Sequence, residues 1–177
     1  MTQQTGDRTM QTDQRSLIPD EAAATVGTIV AIASGAVTTR DWQRWAVSVG
    51  ETNPLYFDAD IARAHGYADV ICPPLYVQYS ILGVTALGDL REDGSSGASS
   101  GNLQFPDAPK RMAGGETTTF HRPCYDGDVI TSERRVESIV EKQGRSGRFV
   151  LVTWKTDYIN QRRELVAQAT TSMIARP

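Results

Sequence analysis

Pro73-Pro74-Leu-Tyr-Val-Gln-Tyr-Ser-Ile-Leu-Gly-Val-Thr-Ala-Leu87-Gly88 is the stretch on which the reading of the fold turns. Pro74 suits the first turn of a helix, where a missing N–H matters least, and Gly88 suits its end. Between them the residues are apolar on nearly every face, which predicts a helix of about 13 residues buried all round. A membrane span needs about 18 or more apolar residues, so this helix must be enclosed by protein.

What lies on either side supplies the enclosure. Upstream, Thr25-Val-Gly-Thr-Ile-Val-Ala-Ile32 is rich in β-branched residues and reads as a strand. Thr38 and Asp41 resemble a capping box, and Trp42, Trp45, Ala46 and Val49 recur at helical spacing up to Gly50. A short helix is expected from Asp58, its N-cap, to His65, with Gly66 as the stop. Downstream, strands are expected near Arg111–Arg122, Asp128–Lys142, Arg148–Asn160 and Glu164–Ala175. Val150, Val152, Trp154, Thr156 and Tyr158 alternate along the third of these, placing one face on a core. Pro123-Cys-Tyr-Asp-Gly127 and Gly144-Arg-Ser-Gly147 are the turns of a late antiparallel meander. The polar residues 1 to 20 read as a loose arm, and the Gly/Ser-rich segment 91–102 as a flexible loop. Residues 21–177 are therefore expected to form one α+β domain of the hot-dog type, an antiparallel sheet wrapped around a buried central helix. The three tryptophans are assigned to its core.

Composition narrows the chemistry. Of 177 residues, 18 are Lys or Arg and 21 are Asp or Glu, so the net charge is −3 and there is no basic run to hold nucleic acid. Cys72 and Cys124 lie far apart with no Cys-x-x-Cys, so no zinc site is expected, and Asp126-Gly127-Asp128 reads as a turn rather than a metal site. Met1 to Ser16 lacks a basic start followed by an apolar stretch. The expectation is a cytoplasmic protein with reduced thiols, no membrane span, no metal and no cofactor. Only two histidines, His65 and His121, are available for acid/base work.

The chemical residues concentrate in Gly50-Glu-Thr-Asn-Pro-Leu-Tyr56, where a carboxylate, a carboxamide and a phenol share a loop between two helices. This loop resembles the Gly-Asp-x-Asn-Pro-aliphatic-His motif of the MaoC-like hydratase/dehydratase superfamily. Phe120-His-Arg-Pro-Cys-Tyr-Asp-Gly-Asp128 is similar to the superfamily's Phe-x-x-Pro-x-x-x-Gly-Asp, and Ala64–Pro74 and Tyr158–Val166 resemble its lead into the central helix and its last hairpin. The likeness runs from about residue 20 to 177. It is nearest to the substrate-binding subunits of (3R)-hydroxyacyl-carrier-protein dehydratases. It implies a hydro-lyase acting on thioesters of coenzyme A or an acyl carrier protein, paired with itself or with another hot-dog subunit.

The resemblance puts Glu51 and Tyr56 at the positions of the family's catalytic Asp and His. It implies substrate contacts from Asn53, Pro54, His65 and Tyr67, and from Pro74, Leu75 and Tyr76 at the start of the central helix. Hydration of an enoyl thioester needs one group to exchange the α-proton and another to handle the oxygen. A phenol of pKa ~10 cannot alternate between acid and base near neutrality as imidazole does. The dyad is therefore incomplete in this chain. His65 and His121 each admit a plainer reading, the first as a residue closing a short helix and the second as a hydrogen-bonded strand residue. Three accounts stay open: a subunit completed by a partner carrying the Asp/His pair, a self-sufficient homodimer using Glu51, and an acyl-thioester binding protein without catalysis.

Overall fold

The computed structural model describes residues 15–90, 92, 94 and 103–177. Most of the expected loop 91–102 and most of the expected arm lie outside these. The frame is a five-stranded antiparallel sheet of β1 (Ile29–Ala36), β2 (Lys110–Phe120), β3 (Val129–Gly144), β4 (Gly147–Asn160) and β5 (Leu165–Arg176), in the order β1-β3-β4-β5-β2. Every second residue of β4 from Val150 to Asn160 is buried, as the alternation predicts. β3, β4 and β5 form the meander, and β3 and β4 close around Arg145 and Ser146 with Gly144 opposite Gly147. β2 does not sit beside β3 as in a simple meander. It pairs with β5 at the far edge, so residues 121–128 cross from one edge of the sheet toward the other. Strand adjacency is a non-local property that turn residues alone do not encode.

The first strand begins later than expected, at Ile29 instead of Thr25. The reason is the short helix α1 (Asp20–Ala23) just before it. Its tight turns run on through Thr25 and Thr28, whose hydroxyls donate to Ala22 O and Thr25 O at 2.7 Å. Gly27, at φ +83°, then releases the chain into β1. The end of the expected arm is packed rather than loose: Leu17 is buried, and its N–H donates to Glu141 Oε2 at 2.9 Å.

α2 (Thr39–Ser48) starts as expected, with the Thr38 side chain accepting from Asp41 N and donating to Asp41 Oδ2. It buries Trp42 and Ala46 completely and turns Trp45 toward Tyr76 and Tyr79, at centroid distances of 5.7 and 5.2 Å. α3 (Ala59–Ala64) is capped by Asp58, whose Oδ1 accepts from Asp60 N and Ile61 N. Two apolar clusters lie along the sheet. One gathers Trp42, Cys72, Tyr76, Cys124 and Tyr158, and the other Leu17, Phe105, Val136, Val152 and Trp154.

The decisive stretch is corrected in one respect. Its helix, α4, spans only Tyr76–Ser80, with Tyr76 and Val77 buried. Beyond it Leu82, Val84 and Leu87 are 64%, 102% and 87% exposed. Helical stability in water comes mainly from tertiary burial, and among the described residues nothing covers those side chains. Gly83 and the β-branched Val84 and Thr85 add little intrinsic propensity to hold the helix without that cover.

Candidate active site

The Gly50–Tyr56 loop is held by its own polar side chains. Gly50, at φ +75°, ends the α2 turn. Glu51 Oε1 accepts from the N–H groups of Thr52 and Asn53, both at 2.9 Å. Asn53 Oδ1 accepts from Leu55 N at 3.1 Å and caps the 3₁₀ turn Pro54–Tyr56. The carboxylate expected to do chemistry is thus also the brace of its own loop. Trp42 Nε1 and Gln43 Nε2 both donate to Tyr56 O, at 3.4 and 3.0 Å, tying the loop to α2.

Tyr56 is 8% exposed. Burial, then the neighbouring Glu51 charge, raise its phenol above the usual tyrosine range, against a hydrogen bond with the Asn53 side chain that lowers it. A phenol held this way keeps its proton near neutrality. It can donate a hydrogen bond but cannot serve as a base.

Next to this loop a cavity of about 240 Å³ opens between the approach to α4 and the end of β2. Ile71 N donates to Leu55 O at 3.1 Å, which joins the cavity wall to the loop, and Cys72 N donates to Cys124 O at 2.8 Å beneath it. Tyr67 and Pro74, two of the residues named above for substrate contact, line the cavity together with Phe120, His121 and Arg122. The other expected residues lie elsewhere. Glu51, Asn53, Pro54 and Tyr56 belong to the adjoining loop and are not part of the cavity lining. Tyr76 is packed in the core against Trp45, and Leu75 is exposed beside the cavity. His65 is exposed at the end of α3, its Nδ1 2.8 Å from Ile61 O, which is the plainer of its two readings.

The start of α4 leaves few backbone donors for a developing enolate oxygen. The N–H groups of Tyr76, Val77 and Gln78 are already engaged by the carbonyls of Pro73, Pro74 and Leu75. The two thiols are equally quiet. Burial pushes both up, Cys124 to about 12 with Asp128 adding to the effect, so neither is a nucleophile near neutrality. Asp128 is buried and braces the Pro123–Gly127 turn, accepting from Tyr125 N, Gln161 Nε2 and Arg162 Nη1 at 3.0, 3.1 and 3.1 Å. That is the structural role expected of the Asp-Gly-Asp triplet. Among the described residues no group of three or more His, Cys, Asp or Glu is arranged to hold a metal ion, and no helix is long and apolar enough to cross a membrane. Sequence reasoning passed over Arg122, Cys72 and Cys124 as cavity residues. The Phe120–Asp128 motif signals that this turn matters, but not that it faces residues 67–77.

Comparison with known proteins places this geometry. Residues 24–169 match the FAS1-like dehydratase domain region. A UPF0336 protein of Streptomyces griseus is 32% identical over 134 residues, covering 76% of this chain and 80% of its own. A probable enoyl-CoA hydratase alpha subunit of Thermomonospora curvata is 31% identical over 128 residues, 71% of this chain but 40% of that longer protein. Among solved structures, the ChsH1-ChsH2 complex from Mycobacterium tuberculosis matches with a TM-score of 0.68 at 20% identity, over 81% of this chain and 82% of that one. At that identity the likeness speaks to fold, and the fold is the hot-dog.

Proposed function

Starting from the fact that this chain belongs to the FAS1-like dehydratase domain family, we propose that it is the substrate-binding subunit of a (3R)-3-hydroxyacyl-thioester dehydratase or 2-enoyl-thioester hydratase. Its partner is a second hot-dog chain that supplies an Asp/His pair. The observation that carries this is Tyr56, a buried and firmly protonated phenol where the reaction needs a group that both takes and gives a proton. Glu51 beside it spends one carboxylate oxygen on two backbone N–H groups of its own loop. Loss of a positioned acid/base group costs about 10²–10⁴ in rate, so the single chain turns over slowly at best.

Two further features support a partner. β2 is an edge strand on which every side chain except the half-buried Thr118 is exposed. Leu75, Tyr79, Leu82, Val84 and Leu87 leave a row of apolar side chains uncovered nearby in the chain, and large exposed apolar surface marks an interaction site. The relatives agree in kind: one is named as an alpha subunit and one solved structure is a two-protein complex.

The test is hydration of crotonyl-CoA by the purified chain, alone and after mixing with a hot-dog chain bearing an intact Gly-Asp-x-Asn-Pro-x-His loop. Little turnover alone and high turnover together is expected. Full turnover by the single chain would transfer the case to a self-sufficient homodimer, a reading favoured by the presence of His121 at the cavity. Thioester binding with no turnover in either preparation would leave a binding protein.

A further inference from the structure

We propose that His121 and Arg122 form an anion anchor at the mouth of the cavity, taking the phosphate of a phosphopantetheine arm whose acyl thioester lies inward. This rests on the thioester reading above and adds to it the residues that hold the non-reacting end of the substrate.

The backbone sets up the anchor. Successive side chains of a strand point to opposite faces, yet His121 and Arg122 both line the same cavity. β2 has ended at Phe120, and the next two N–H groups converge on one acceptor, Val166 O, at 2.8 and 3.2 Å. That bend turns both side chains to one opening. Arg122 is oriented without being saturated. Its Nη1 lies 3.5 Å from Glu164 Oε1, while Glu164 Oε2 accepts from Asn160 Nδ2 at 2.8 Å and Arg162 Nε at 3.0 Å. The Arg122 side chain is 58% exposed, and a guanidinium carries five N–H donors, so most of the fork is available to an incoming oxyanion.

The interior is of the opposite character. Ile71 and Val77 are apolar and buried, and the buried thiols of Cys72 and Cys124 stay uncharged, while the exposed Phe120 and Pro123 carry the apolar lining out to the rim. At about 240 Å³ the space falls below the range of roughly 300–1,000 Å³ usual for drug-sized ligands, so it admits the acyl end of a ligand and not its whole length. A cationic mouth on an apolar interior suits a ligand with an apolar tip and an anionic stem. Such a stem occurs both in coenzyme A and in the arm of an acyl carrier protein, and they share the phosphate next to pantetheine.

Isothermal titration calorimetry of the full chain with butyryl-CoA, butyryl-4′-phosphopantetheine and butyryl-pantetheine separates the parts, since the saturated acyl group cannot be hydrated. Both phosphorylated ligands are expected to bind at least tenfold tighter than butyryl-pantetheine. Arg122→Gln should remove that advantage while leaving butyryl-pantetheine unchanged, His121→Gln should reduce it, and Arg122→Lys should restore part of it. Equal affinity for the two phosphorylated ligands supports an anchor for the single phosphate, and tighter butyryl-CoA binding supports one that also reads the nucleotide end. Equal weakening of all three ligands by Arg122→Gln, or of none, overturns the anchor and leaves the thioester reading standing. Failure of all three to bind the wild-type chain overturns both.

Discussion

The N–H of Cys72 donates to the carbonyl of Cys124 at 2.8 Å, which fastens the segment entering α4 to the turn leaving β2. Both thiols are free and buried at this junction, so their protonation is linked to folding. Burial is the leading cause that raises each of them, Cys124 from 9.0 to about 12. Above pH ~9 the unfolded chain releases thiol protons that the folded chain retains, so stability is full below that pH and falls as pH rises toward the folded value. Urea unfolding between pH 8 and 10 should show the loss, and a Cys72→Ala/Cys124→Ala variant should flatten it. Identical pH profiles for the two proteins would refute the linkage.

Gly35 of β1 lies directly beneath the carbonyl of Ser80 at the end of α4, and a Cβ there would overlap that oxygen. Backbone cannot step aside as a flexible side chain can. Gly35→Ala should therefore push α4 off the sheet and cost at least the ~1–3 kcal/mol usual for overpacking. Thermal unfolding should drop by several degrees. An unchanged midpoint would mean that α4 is not seated on β1 as described.

Tyr56→Phe distinguishes a structural phenol from a catalytic one. Removing the hydroxyl forfeits its hydrogen bond with Asn53, worth about 1 kcal/mol of stability. If chemistry resides in a partner chain, turnover of the reconstituted complex should stay within about threefold of wild type. A drop approaching the ~10²–10⁴ expected for a lost acid/base group would instead make Tyr56 a proton donor and favour the homodimer.

Much of this architecture was legible because it is local. The Thr38 cap, the Trp42/Ala46 face of α2, the Asp58 cap and the alternation of β4 depend on residues within a turn or two of each other, and all are present. What was not legible is non-local. β2 pairs with β5 rather than β3, and the cavity joins residues 67–77 to 120–124 across the chain. The apolar run after Ser80 is ambiguous for a deeper reason. Pattern shows that side chains need cover, not whether the cover comes from the same chain. The Gly50–Tyr56 loop was found from its residue types, but the bracing role of Glu51 emerges only from its two backbone bonds.

Acid should release the N-terminal segment before the sheet. Glu141 on β3 accepts hydrogen bonds from Arg148 and from Leu17 N, and Arg148 Nη2 donates to Arg15 O at 2.9 Å, so one ion pair clasps residues 15–17 to the β3–β4 hairpin. The Arg148 hydrogen bond, then the Leu17 N–H, hold the Glu141 carboxyl below its ordinary range. A depressed carboxyl stabilises the folded state above the unfolded pKa of 4.5, and that contribution is lost as pH falls through the lower folded value. Hydrogen exchange at the Leu17 amide should therefore accelerate, relative to the β4 amides, as pH drops below ~4.5 once intrinsic rates are divided out. Glu141→Gln should show that faster opening already at pH 7. Protection at Leu17 that follows β4 through acid, in both proteins, would show that the buried Leu17 side chain and not the Glu141 clasp keeps this segment in place.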